Sequence, residues 1–240
     1  MALGHYVHRW PAGSPCVAEP LMPKLPRDPE EMLVCEIYAS LEGEGGDIGL
    51  PMTFVRVTGC PLRCSWCDQP EAFWEGSTMR LDAILARVRE LGSRRVCVTG
   101  GEPLAHRQCR ALVERLLAAG HRVVLETSGA FSVTELPDHE DLCLSVDVKC
   151  PGSGMQDRNL WSNLEVLRAK DQMKFVIVNR ADYEYAKKVL AERRPACPVI
   201  LQPEGGRDLQ ALAAWVLEDR LDVRVLPQLH KMIWGDRKGV

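Results

Sequence analysis

No charge of either sign dominates this chain of 240 residues: 30 Lys and Arg stand against 33 Asp and Glu, a net charge of −3. That near-balance argues against a nucleic-acid partner, because such binders rest on a concentrated basic face. No apolar run approaches the roughly 18 consecutive residues that a membrane-spanning helix needs, so no membrane partner is expected. The opening MALGHYVHRWPAGSP lacks the basic-then-apolar order of a secretion signal. Internal repeats and low-complexity tracts are missing too. Hydrophobic residues make up 46% and charged residues 26%, which excludes wholesale disorder. Ten cysteines are present without an export signal. In a reducing cytoplasm, the expected location, clustered cysteines read as metal or redox ligands rather than disulfides.

Residues 1–31 stand apart, holding six of the 16 prolines and no apolar period. They read as a flexible leader, and residues 32–240 as one domain. From Leu33 onward, short apolar runs alternate with amphipathic segments. The expected strands are Thr53–Thr58, Arg95–Thr99, Arg122–Glu126, Leu142–Val148, Lys174–Val178, Val199–Gln202 and Val223–Leu226. They are brief and rich in Val and Ile, as strands covered on both faces should be. Helical patterns fill Arg80–Leu91 and Arg107–Ala119, closed by Gly92 and Gly120, and then Leu160–Leu167, Tyr183–Arg193 and Asp208–Glu218. Strand and helix in alternation make an α/β fold with a mostly parallel sheet and right-handed crossovers. The pattern alone leaves open whether that sheet is flat or curled into a partial barrel.

The strongest chemical signal is Cys60-Pro-Leu-Arg-Cys64-Ser-Trp-Cys67. Three thiolates so close together can wrap one metal centre. Structural zinc wants four ligands, commonly as two separated pairs, and no second pair lies nearby. A cubane iron–sulfur cluster also takes four, so three would leave one iron open. A zinc knuckle that borrows a distant fourth ligand is the competing reading. The second signal is Thr99-Gly100-Gly101-Glu102-Pro103, directly after a strand. Its paired glycines would let a ligand approach the backbone, and Glu102 offers a carboxylate. Position strengthens both. Cys60–Cys67, Gly100-Gly101, Glu126–Gly129, Asp147–Lys149, Gln202-Pro203 and Gln228–His230 all fall at strand C-termini. Parallel α/β proteins assemble their active sites on that edge.

The CxxxCxxC loop after a strand, with GGEP one βα unit later, resembles the radical S-adenosylmethionine (SAM) superfamily. Two further segments narrow the resemblance: Ser40-Leu41-Glu42-Gly43-Glu44-Gly45 ahead of Phe54–Cys60, and Arg224–Lys231 followed by Trp234-Gly235. From about Glu36 to the end, the sequence resembles the 7-carboxy-7-deazaguanine synthase family. The resemblance implies a partial (β/α) barrel carrying a 4Fe-4S cluster, SAM and magnesium. It also implies conversion of 6-carboxy-5,6,7,8-tetrahydropterin to 7-carboxy-7-deazaguanine with loss of ammonia, a homodimer, and an electron donor such as a flavodoxin or ferredoxin.

Carried over residue by residue, Cys60, Cys64 and Cys67 would ligate the cluster. Trp66, Cys67, Asp68, Gly100, Gly101, Glu102, Asp147, Val148, Lys149 and Gln202 would surround SAM. Asp147-Val148-Lys149 stands where the family reads Ser-Pro-Lys. Leu41, Glu42, Gly43, Glu44, Arg56, Thr99 and His230 would hold the substrate, Arg56 by pairing with its carboxylate. Glu42 stands where the family often has Gln, so the carboxylate contact falls to Glu44. Gln69 occupies the place of a Ser or Thr that offers its oxygen to magnesium. A glycyl-radical activating enzyme shares the cysteine motif, but it has no use for a pterin clamp.

Overall fold

In the computed structural model, which describes residues 22–206, 208–235, 237 and 239–240, the alternating pattern becomes one sheet flanked by helices. The elements are β1 (Glu31–Leu41), β2 (Pro51–Val57), β3 (Ser77–Arg80), α1 (Leu81–Leu91), β4 (Arg95–Gly100), α2 (Cys109–Ala118), β5 (Arg122–Thr127), β6 (Leu142–Asp147), α3 (Asn163–Val166), β7 (Gln172–Ile177), α4 (Arg180–Glu192), β8 (Val199–Pro203), α5 (Leu209–Asp219), β9 (Arg224–Val225) and α6 (Leu229–Trp234). The nine strands run in the order β3-β1-β2-β4-β5-β6-β7-β8-β9. From β2 to β9 every pairing is parallel. The β1–β2 hairpin and β3 form an antiparallel edge. The sheet does not close on itself, yet Lys174 on β7 reaches Glu44 just after β1, so it is curled into a partial barrel.

The parallel strands are buried on both faces, as expected, but the two faces differ in character. Each has one apolar face that packs on the helices: Val55 and Val57, Val96 and Val98, Val123 and Leu125, Leu144 and Val146, Met173 and Phe175, Val199 and Leu201 all join one core. The alternate residues, one step along in the pleat, turn to the concave side. There Arg56, Thr99, Glu126, Asp147 and Lys174 line a cavity. A Val-rich strand thus carries its chemistry on the minority face.

The remaining differences have local causes. β1 escapes a periodicity reading because its register shifts between Val34 and Glu36 and its inner face holds Glu36, Tyr38 and Ser40. The helix expected over Leu160–Leu167 shrinks to Asn163–Val166. Buried Asn163 there binds the 129–133 loop, accepting from Val133 N at 3.1 Å and donating to the Phe131 carbonyl at 2.8 Å. α4 starts at Arg180 because the Asn179 side chain caps it, accepting from Asp182 N at 3.1 Å. The leader expected to reach residue 31 is corrected at its C-terminal end. Gln108 donates to the carbonyls of Pro26 (3.1 Å) and Asp28 (2.5 Å), Arg115 pairs twice with Glu30, and Glu31 already belongs to β1. Residues 1–21 lie outside the described residues.

Candidate active site

A cavity of about 260 Å³ opens at the strand C-termini on the concave face. One end is made by the loop after β2. There the Arg63 guanidinium donates to the carbonyls of Cys60 (2.6 Å) and Leu62 (2.7 Å) and stacks over the Phe73 ring at 4.2 Å. Ser65 ties the loop to Gly152 and Ser153. Cys60, Cys64 and Cys67 all line the cavity and are free. Burial pushes the Cys60 thiol up to about 11 and the Cys67 thiol up to about 12. The thiols therefore hold their protons until a metal displaces them.

The Gly-Gly pair is explained by packing against this loop. A Cβ on Gly101 would come closer than 3.0 Å to the Gly59 carbonyl, and one on Gly100 closer than 3.0 Å to the Val57 backbone. Only glycine lets β4 end tight under the β2 exit. Gly101 N then donates to Val57 O at 2.9 Å, and Glu102 N to Gly59 O at 2.8 Å. Glu102 sits behind this loop. Its side chain does not line the cavity. It is fully buried and accepts from Leu104 N (2.9 Å), from Thr127 Oγ1 (2.8 Å), and from the Ser128 N–H (2.8 Å) and hydroxyl. It pins the ends of β4 and β5 together and offers no free carboxylate oxygen. The Val148 side chain packs in the helix-side core. Gln202 is fully buried on β8 beside Val176, and neither its carbonyl nor its amide has a partner among the described residues. The remaining expected cofactor residues, Trp66, Asp68, Gly100, Gly101, Asp147 and Lys149, line the cavity, as does Gln69.

The opposite end is acidic. Glu42, Gly43 and Glu44 follow β1, and the Gly43 carbonyl accepts from Leu229 N at 2.9 Å. His230 sits so close over Gly43 that a Cβ there would overlap its ring. Leu41 and Thr99 complete this wall. Glu42 is buried, with Oε2 unpartnered. Burial, and then the neighbouring Glu126, push its carboxyl well above the usual range. A neutral carboxyl offers one donor and one acceptor, as a Gln amide does. Glu44 goes the other way. Burial opposes its charge, but Lys174, Gln228 and His230 outweigh that and lower it to about 2. Among the described residues, Glu42, Glu126 and Cys97 form the one cluster whose potential ligand atoms all lie within 4.8 Å of each other. Reading the sequence put Glu126 on the strand C-terminal edge but assigned no role to it or to Lys174. The available signal was polarity on the inner face of a buried parallel strand.

Between the ends runs Arg56. Its Nε donates to Glu36 at 2.8 Å and one Nη to the Tyr38 hydroxyl at 2.7 Å. Burial disfavours the guanidinium charge, but Tyr38 and Glu36 more than compensate. Two of its five donors are spent in this way, and three are left for a ligand.

A model of the radical SAM superfamily matches residues 54–142. The chain is also similar to 7-carboxy-7-deazaguanine synthase from Koribacter versatilis, 42% identical over 228 residues that cover 87% of this chain and all of that protein. The chain belongs to the 7-carboxy-7-deazaguanine synthase family. The enzyme of the same name from Thermoplasma acidophilum is 37% identical, again over its whole length and 87% of this chain. Among solved structures, QueE from Escherichia coli superposes with a TM-score of 0.68 at 25% identity, covering 83% of this chain and 95% of that one. The family is radical SAM chemistry on a deazapurine precursor, with a 4Fe-4S cluster, SAM and magnesium as its cofactors. A zinc module and a glycyl-radical activating enzyme are not favoured by these relatives.

Proposed function

We propose that this chain converts 6-carboxy-5,6,7,8-tetrahydropterin into 7-carboxy-7-deazaguanine with release of ammonia, on the way to queuosine-type 7-deazapurines. The observation that carries this reading is one cavity with three free thiols at one end and a carboxyl group, a carboxylate and a guanidinium at the other. Cys60, Cys64 and Cys67 are the residues for the cluster. Trp66, Asp68, Gly100, Gly101, Asp147 and Lys149 are those for SAM, with Gln202's unpartnered amide suited to its adenosine and Glu102 and Val148 acting through the backbone. When bound, these groups supply a one-electron cleavage of the sulfonium and a carbon radical that abstracts hydrogen.

The rest is done by the chain. Glu42, Glu44 and Glu126 accept the adjacent N–H groups of a pterin, with Glu42, whose carboxyl is raised, able to donate when protonated. Leu41, Gly43, Thr99 and His230 shape that wall. Arg56 takes the substrate carboxylate with its remaining donors. Gln69 offers a neutral carbonyl to magnesium, which prefers compact oxygen ligands, and its amide can donate to the same substrate carboxylate. Residues 22–240 form the working domain. A homodimer, a cytoplasmic location and a flavodoxin or ferredoxin as electron donor complete the proposal. The test is anaerobic turnover with carboxytetrahydropterin. The expected result is a product with the mass of carboxydeazaguanine, together with 5′-deoxyadenosine. Pterin-independent 5′-deoxyadenosine formation with no such product would overturn it.

A further inference from the structure

Lys174 sits on the inner face of β7 with its side chain 8% exposed. Such an ammonium is costly to bury without partners. It donates to Glu44 Oε2 and lies 3.4 Å from Asp147 Oδ1. The other oxygen of Asp147 takes the Lys149 ammonium at 2.6 Å, and Lys149 lies 5.2 Å from the centre of the Trp66 ring, inside the cysteine loop. The other oxygen of Glu44 takes Gln228 Nε2 at 2.8 Å. A continuous line of alternating charge therefore runs Glu44–Lys174–Asp147–Lys149, from the acidic end of the cavity to the cysteine end. We propose that Lys174 is a positioning residue that couples the two ends, so that the pterin and SAM each tighten the binding of the other; this rests on the reading of the cavity given above.

The physical reason is that one ammonium holds two carboxylates that serve different ligands. An ammonium has three donors and no acceptor. A pterin N–H arriving at Glu44 takes up acceptor capacity now given to Lys174, which shifts that ammonium toward Asp147. Asp147 in turn sets the place of Lys149 against the SAM end. In a water-poor site such shifts are weakly screened, so they carry across the line. Burial opposes the Lys174 charge, yet Asp147, Glu44 and Glu126 hold it firmly protonated, so the link is a fixed charge rather than a titrating one.

The experiment uses the full chain with its cluster reconstituted anaerobically. Equilibrium dialysis gives the Kd of SAM with and without 6-carboxytetrahydropterin. In the native protein the pterin is expected to tighten SAM about tenfold, and SAM the pterin by the same factor. In Lys174→Met that factor falls to within about twofold of unity, while the iron content stays native. Lys174→Arg, which keeps the charge, restores most of it. A purely structural role would weaken both ligands but leave their mutual effect intact. If Lys174→Met does not fold, Asp147→Asn cuts the same line from the other side and must also lower the factor. Full coupling in either variant, or none in a native protein that binds both ligands, overturns the proposal. A native protein that binds no pterin at all overturns the reading of the cavity itself.

Discussion

Glu42 and Glu44 lie two residues apart, and their carboxyls are driven in opposite directions by what each faces. Burial and Glu126 raise Glu42; Lys174 and Gln228 lower Glu44. The sign of the resulting pH dependence follows. Glu42's carboxyl is raised in the folded state, so its contribution is complete below the unfolded value near 4.5 and is lost as pH rises through the folded value. Glu42→Gln removes that slope. Thermal midpoints followed against pH should show the native protein losing ground to the variant as pH rises, and parallel curves would contradict the assignment. Arg56→Ala strips a buried charged partner from the proposed substrate carboxylate. It should weaken pterin binding by about 2–5 kcal/mol and leave SAM binding nearly unchanged, as read by dialysis. Gln69 carries a neutral, longer ligand than Ser or Thr would. Chelating magnesium should therefore slow native turnover only modestly, and Gln69→Ser should make turnover more dependent on added magnesium.

At the scale of elements, the site depends on how closely β4 ends beneath the β2 exit. Gly101→Ala places a methyl against the Gly59 carbonyl, a backbone atom that cannot rotate away. Overpacking of this kind costs about 1–3 kcal/mol. That should lower the thermal midpoint by roughly 2–4 °C per kcal/mol and reduce iron loading, because the displaced loop carries Cys60. Unchanged iron content would show that the loop tolerates the shift. Cys64→Ala, by contrast, should abolish cluster assembly with little loss of stability, since Cys64 sits at the edge of a small cluster outside the main core.

For the whole molecule, the question is where the folded unit begins. A chain that lacks residues 1–21 serves as the reference. Deleting residues 1–31 removes Glu30 from Arg115 and the Pro26 and Asp28 carbonyls from buried Gln108. An orphaned buried amide costs about 1–3 kcal/mol, so the longer truncation should melt several degrees lower. Two truncations with the same melting curve would return the boundary to residue 31.

Much of this architecture can be read from the chain itself, because its signals are local. Val-rich runs, 3.6-residue periods closed by Gly92 and Gly120, and three cysteines in one loop each involve near neighbours, and hydrophobic burial and ligand spacing act directly on such patterns. The strand C-termini could even be named as the edge where the chemistry gathers. Other features depend on which residues meet across the sheet. Nothing local separates Glu102, consumed by Thr127 and Ser128, from Glu126, which faces the cavity. Nothing local puts Lys174 between Glu44 and Asp147, or raises the carboxyl of one of two nearby glutamates and lowers the other. β1, the shortened α3 and the anchored residues 26–31 were equally hidden, since their causes are a register shift and side chains arriving from about 30 to 80 positions away. Charge, burial and pairing at long sequence separation are settled only when the sheet curls and brings its inner faces together, because a carboxyl's proton depends on its neighbours in space.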